Sequence, residues 1–116
     1  VPVLAATLAG VPAPGPISLR LAGAGRFGSV VWTGVHGDVD PLAAFREEVR
    51  SAVEDAGFPV DARPFRPHLT ITYRYDRRLA TTLDGYRGPS WSVNEIALVD
   101  SVDGDYLPLS THPVAR

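Results

Sequence analysis

The chain predicts an α+β fold with a largely antiparallel sheet. Three features of its 116 residues carry that expectation. A capped, amphipathic helix lies near the middle of the chain. A pair of strand-like stretches flanks a glycine-rich segment, which is the pattern of a hairpin. A run of β-branched and aromatic residues follows two closely spaced prolines and leads into further strand-like segments.

The elements follow in order. Residues 2–9 form a short helix, with Pro2 near its first turn and Gly10 closing it. Residues 11–16 are a proline-rich connector. In residues 17–21, Ile17, Leu19 and Leu21 alternate with Ser18 and Arg20, the period of a half-buried strand. Residues 23–28 are the glycine-rich turn of a hairpin, and residues 30–35 its more buried second strand. Asp40 is placed to cap the next helix, Pro41 to occupy its first position and Gly57 to end it. Leu42, Phe45, Val49, Ala52, Val53 and Ala56 make its apolar stripe, while Glu47, Glu48, Arg50, Glu54 and Asp55 fall largely on a solvated face. Residues 69–73 are a strand, and residues 76–85 a short helix or turn. Residues 90–99 are a strand that first alternates (Trp91, Val93) and then turns wholly apolar. Asp103, Gly104 and Asp105 turn the chain into a last strand over residues 106–109.

Composition narrows the possibilities. The chain is sized for one domain and, at 45% hydrophobic residues, can bury a core. A net charge of −2 supplies no general field for polyanions. All 11 basic residues are arginine, a bias expected of a GC-rich bacterial genome. Cysteine is absent, which removes disulfides and thiolate metal sites. No apolar run approaches the roughly 20 residues that span a bilayer, and a cytoplasmic location is expected.

The chemistry concentrates in Arg63-Pro64-Phe65-Arg66-Pro67-His68-Leu69-Thr70-Ile71-Thr72-Tyr73-Arg74. The prolines hold the approach extended. Strand alternation then puts His68, Thr70 and Thr72 on one face, and Leu69 and Ile71 on an apolar face that should pack inward. An imidazole beside hydroxyls and a guanidinium suits a phosphate ester. Other candidates have plainer explanations. Gly23, Gly25 and Gly28 lack the spacing, and the following helix, of a phosphate loop. The segment His36-Gly37-Asp38-Val39-Asp40 brings an imidazole near carboxylates, but one short loop rarely completes a metal shell, and it is taken as a loop ending in a helix cap. Trp32 and Trp91 are expected to pack, Thr72 to be a strand former, and His112 to be exposed.

The seven residues Phe65-Arg66-Pro67-His68-Leu69-Thr70-Ile71 resemble the second His-x-Thr signature of the 2H phosphoesterases, the RNA 2',3'-cyclic phosphodiesterases also called 2'-5' RNA ligases. Phe27, the run Val30-Val31-Trp32-Thr33-Gly34-Val35, the preceding helix, and Ile96-Ala97-Leu98-Val99-Asp100-Ser101 with Tyr106 resemble the family as well. The resemblance covers nearly the whole chain. It implies a two-lobed fold with a cleft and two His-x-Thr motifs, one in each half. Only His68 has a threonine two residues on; His36 and His112 do not. The expectation is therefore one domain over residues 1–116, incomplete at its N-terminus, with the first motif upstream of Val1.

By the resemblance, His68 is the general base that activates water, Thr70 donates to a phosphate oxygen, and the upstream histidine is the acid on the leaving oxygen. Arg66 is a candidate phosphate binder. Many relatives have an arginine five residues after the histidine; Tyr73 stands there instead, with Arg74 next, and Tyr73 becomes a candidate for stacking on a base. The scheme needs neither metal nor cofactor, because two groups titrating near neutrality handle both protons. The expected partner is an RNA end or a cyclic nucleotide, the expected state a monomer, and these 116 residues alone are expected to be nearly inactive. The alternative is a non-catalytic module that grips a nucleotide or RNA phosphate. Pairing of two copies, each contributing His68 and Thr70, is a third arrangement.

Overall fold

The structure, a computed structural model, describes residues 2–60 and 63–114. Its elements are α1 (Pro2–Ala9), β1 (Ile17–Phe27), β2 (Val30–Gly37), α2 (Val39–Asp55), β3 (His68–Thr72), α3 (Arg77–Asp84), β4 (Arg87–Val93), β5 (Glu95–Val102) and β6 (Asp105–Pro113). They form a four-stranded sheet in the order β3-β2-β1-β4 and a two-stranded sheet of β5 and β6. The pairs β1–β2, β2–β3 and β5–β6 are antiparallel. The fold is therefore α+β with antiparallel sheets and flanking helices.

The chain divides into two compact units. One comprises Val1–Ile17, Asp40–Arg63 and Val93–Arg116; the other comprises Ser18–Val39 and Pro64–Ser92. In the first unit Leu8, Ile17, Phe45 and Val114 are buried. Val114 is tied in on both sides, donating from its amide to the Asn94 carbonyl at 2.8 Å and accepting from Gly15 at 3.0 Å. The predicted stripe of α2 faces inward around Phe45, with Leu42, Val49, Ala52 and Val53 half-buried, except for Ala56, which is exposed because the helix ends at Asp55. Arg50 bridges Glu47 and Glu54 at 3.3 and 3.8 Å on the other side. Helix α2 starts at Val39, so Asp40 lies in its first turn, where its charge favours the N-terminal dipole. Gly57, at φ 93°, turns the chain out of the helix as expected.

The second unit differs from expectation in its glycine-rich segment. Residues 23–27 are strand, not turn, and the hairpin closes on Gly28 and Ser29 between the paired Phe27 and Val30. A bulge between Ala22 and Gly25 absorbs one extra residue. Gly23, at φ 71°, sits in it, and the Thr33 hydroxyl donates to its carbonyl at 2.7 Å. Leu19, Val31 and Thr33 are buried here.

The single strand expected over residues 90–99 is two strands separated by Asn94. The change from alternation to an apolar run marks the point where the chain leaves one sheet for the other. The short helix over residues 76–85 is realised: the Asp76 carboxylate accepts from the Leu79 amide at 3.1 Å, an N-cap. Leu69 and Ile71 do not pack inward; they remain 48% and 40% exposed, because β3 is an edge strand. His112 is half-buried with Nε2 2.9 Å from the Ser110 hydroxyl, rather than exposed, since β6 runs on to Pro113. Trp91 is 44% exposed and does not pack as expected.

Candidate active site

His68 opens β3, directly opposite Gly34 of β2, and Gly34 is itself opposite Ala22 of β1. Side chains of paired residues, and of residues two apart, share a face of the sheet. The register therefore lays out one face as three rows across the strands. The middle row is Ala22–Gly34–His68. On one side of it lies Gly25–Trp32–Thr70, and on the other Arg20–His36.

Small residues beside His68 let two rings lie close against the sheet. The Trp32 indole covers Gly25: a Cβ on Gly25 would lie 2.0 Å from the ring. Gly34 has a similar role, since a Cβ there would meet the His36 Nε2 at 2.9 Å and the Ala22 carbonyl at 3.0 Å. His36 thus folds back over the glycine that faces His68. It does not stand out in a loop, as the sequence pattern had implied, because β2 continues to Gly37.

The His68 imidazole is fixed from two directions. Phe27 meets it edge-on with ring centroids 5.3 Å apart, and Trp32 lies 5.8 Å away. Phe27 and Trp32 are 5.2 Å from each other. On the strand side, Nδ1 bonds to the carbonyl of Arg66. A carbonyl only accepts, so Nδ1 is the donor in this contact and Nε2 is the ring nitrogen left for other partners. The Pro64 and Pro67 pair explains this contact, because it holds Arg66 extended and turns its carbonyl toward the first residue of the strand. Neither this hydrogen bond nor the Phe27 contact was legible in the sequence. Phe27 lies 41 positions from His68 and meets it only through the sheet register.

Thr70 stands two residues further along the same face, opposite Trp32, with a half-buried side chain. Thr72 does not join it. The register shifts between Val31 and Trp32, which puts Thr72 opposite Val31 on the other face. Its hydroxyl instead accepts from the Arg74 amide at 3.1 Å where the strand ends. Arg66 is exposed one residue before Pro67. Tyr73 lies beyond β3, 78% exposed, with its carbonyl accepting from the Ser29 hydroxyl at 2.8 Å. Five residues of extended chain, about 17 Å, separate it from His68. His68 therefore opens β3, Thr70 shares its face at the middle of the strand, and Tyr73 stands beyond the other end.

Asp38, the acidic neighbour of His36, is engaged elsewhere: its carboxylate accepts from the Ser18 amide at 2.8 Å. Among the described residues no three His, Asp or Glu side chains gather in a way suited to a metal ion. Nor is any of their helices long and apolar enough to cross a membrane.

The fold has counterparts among known proteins. Among solved structures, one described as a phosphoesterase superposes with a TM-score of 0.72 over 99% of this chain and 68% of its own, at 22% identity. Apo LigT from E. coli gives 0.71 over 99% and 67%, at 25% identity. LigT in complex with 3'-AMP gives 0.70 over 96% and 67%, at 24% identity. An RNA 2',3'-cyclic phosphodiesterase from Geobacillus stearothermophilus is 40% identical over 65 residues, 52% of this chain. The match spans only 20% of that relative's length. The model of the 2'-5' RNA ligase superfamily matches residues 1–105. That match takes in the histidine, the threonine and the sheet that presents them, and the chain belongs to the 2'-5' RNA ligase superfamily, the 2H phosphoesterases.

Proposed function

We propose that this chain carries the general-base half of a metal-independent phosphoesterase that opens 2',3'-cyclic phosphates at the ends of RNA or nucleotides. The observation that carries the proposal is the hydrogen bond between Nδ1 of His68 and the Arg66 carbonyl, which leaves Nε2 as the nitrogen turned to the substrate. The G. stearothermophilus relative's description and the 3'-AMP bound to LigT support the choice of substrate class.

In this scheme a water on the open side of the sheet gives its proton to the His68 Nε2 as its oxygen attacks phosphorus. The bond to one ribose oxygen breaks on the opposite side, and that oxygen takes a proton from an acid. Thr70 donates its hydroxyl to a non-bridging oxygen, and Arg66 adds positive charge as the phosphorane develops. Tyr73, at the far end of β3, offers its ring to a base further along an RNA end. The acid must face the base across the phosphorus. His36 lies on the same face of the same sheet as His68, and the His112 Nε2 is taken up by Ser110. The proton donor is therefore assigned to polypeptide outside these 116 residues, which makes them nearly inactive alone.

A second reading is a module that grips a terminal phosphate without cleaving it. It is favoured by one observation: a single imidazole with a free ring nitrogen is matched to a threonine on this face.

The deciding experiment is hydrolysis of a 2',3'-cyclic nucleotide in EDTA by the full-length protein and its His68→Ala variant. Loss of about 100-fold or more in the variant is expected of a general base. Turnover that survives the substitution, or that EDTA abolishes, rules out the scheme. Tight binding without turnover selects the module.

A further inference from the structure

We infer that the site extends past the reacting phosphate to a second anionic subsite formed by Arg20 and His36, which takes the next phosphate of an oligonucleotide. The inference rests on the reading of His68 as the centre that handles the first phosphate.

Arg20 and His36 are paired across β1 and β2 on the same face as His68. Their row begins two residues beyond Gly34, a displacement of about 7 Å along the strands. Between the two positions the strands carry the small residues Ala22 and Gly34, and the side chain laid over Gly34 is that of His36, itself a member of the subsite. The His36 imidazole lies over Gly34, with Nε2 directed into that gap.

The charge on this row is uncompensated. Arg20 is half-buried, yet among the described residues its guanidinium is in no ion pair or hydrogen bond. A half-buried guanidinium ordinarily finds a carboxylate. The nearest candidate in sequence, Asp38, has its carboxylate on the Ser18 amide. Arg20 therefore has a fork of donors that no acceptor among the described residues occupies, the arrangement that suits a phosphate. His36 adds a donor from the neighbouring strand. Arg66, next across from His36 where Val35 bonds to Pro67, extends the basic row toward His68.

A mononucleotide has no phosphate to place there, whereas an oligonucleotide end does. The subsite would make the substrate an RNA end rather than a free cyclic nucleotide. The charge is local, so it does not conflict with the net charge of −2.

The test compares two ligands on the full-length protein by calorimetry: a dinucleotide with a 3'-terminal phosphate and the corresponding 3'-mononucleotide. Wild type should prefer the dinucleotide by roughly tenfold, the worth of one charge-assisted contact. In Arg20→Gln combined with His36→Asn the ratio should fall toward one, and each single substitution should fall between. Raising the salt should erase the preference in wild type. A ratio of one in wild type, or a tenfold preference that survives both substitutions, overturns the subsite. Failure of wild type to bind the mononucleotide at all would instead remove the reading of His68 on which it rests. Because each protein is judged by a ratio of two ligands, a partly unfolded variant does not mimic the expected result.

Discussion

Replacing Gly25 with alanine is the most direct test of how the site is held. The alanine Cβ would lie 2.0 Å from Cζ2 of Trp32 and 2.3 Å from its Cη2. Carbon atoms rest at about 3.5 Å or more, so the indole must retreat by about 1.5 Å. Gly25 has no positive φ, so alanine itself fits the backbone and the effect is steric alone. Overpacking of this kind costs about 1–3 kcal/mol. The displaced ring is the one that lies 5.2 Å from Phe27 and 5.8 Å from His68, and the imidazole should shift with it. A displacement near 1 Å at a reacting group can lower turnover by about 100-fold. The measurement is urea unfolding, followed by circular dichroism, of Gly25→Ala in the wild-type and Trp32→Ala backgrounds. With the indole gone, the alanine should be neutral or stabilising by about 0.4–1 kcal/mol, since it also restricts the unfolded chain. An equal cost in both backgrounds would falsify the contact as the cause, and so would no cost in wild type.

Other substitutions probe the remaining supports. Thr70→Val should lower kcat for a 2',3'-cyclic phosphate by about 100-fold while leaving the melting temperature nearly unchanged; an equal fall in both would make Thr70 structural. Thr33→Val removes the hydroxyl that donates to the Gly23 carbonyl at the bulge and should destabilise by about 1 kcal/mol in urea, with an unchanged midpoint counting against that bond. Asp76→Ala should cost about 1 kcal/mol through loss of the α3 cap, and Asp76→Asn, which can still cap, much less.

The sequence made some features plain because their causes are local. The proline-framed approach to His68, the amphipathic stripe of α2 and the Asp103-Gly104 turn each depend on residues within a few positions. The glycine-rich segment misled for a physical reason: glycine there serves a bulge at Gly23 and the seat of an indole at Gly25, both set by the partner strand. The break at Asn94 was foreshadowed by a change of pattern, but strand pattern alone does not say which sheet a strand will join. Thr72 was placed with His68 by strict alternation, which one bulge overturns. His36 and Arg20 stayed hidden because their place beside His68 depends on register across three strands, which no single segment encodes.

The pairing of Gly34 with His68 also bears on how the site comes into being. The floor of Ala22 and Gly34, with Arg20 and His36, belongs to a hairpin closed by two residues, and such contacts can form early and locally. His68 joins it only after the chain has run through α2 and returned, 34 positions later, so its arrival requires a far longer loop to close. The strand that brings it remains at the edge of the sheet with Leu69 and Ile71 partly uncovered. In a chain whose β3 had not docked, the proposed Arg20–His36 subsite would stand without the group proposed to act on the anion. A nucleotide bound to Arg20 and His36 at that stage would favour the hairpin without rewarding the closure that completes the site.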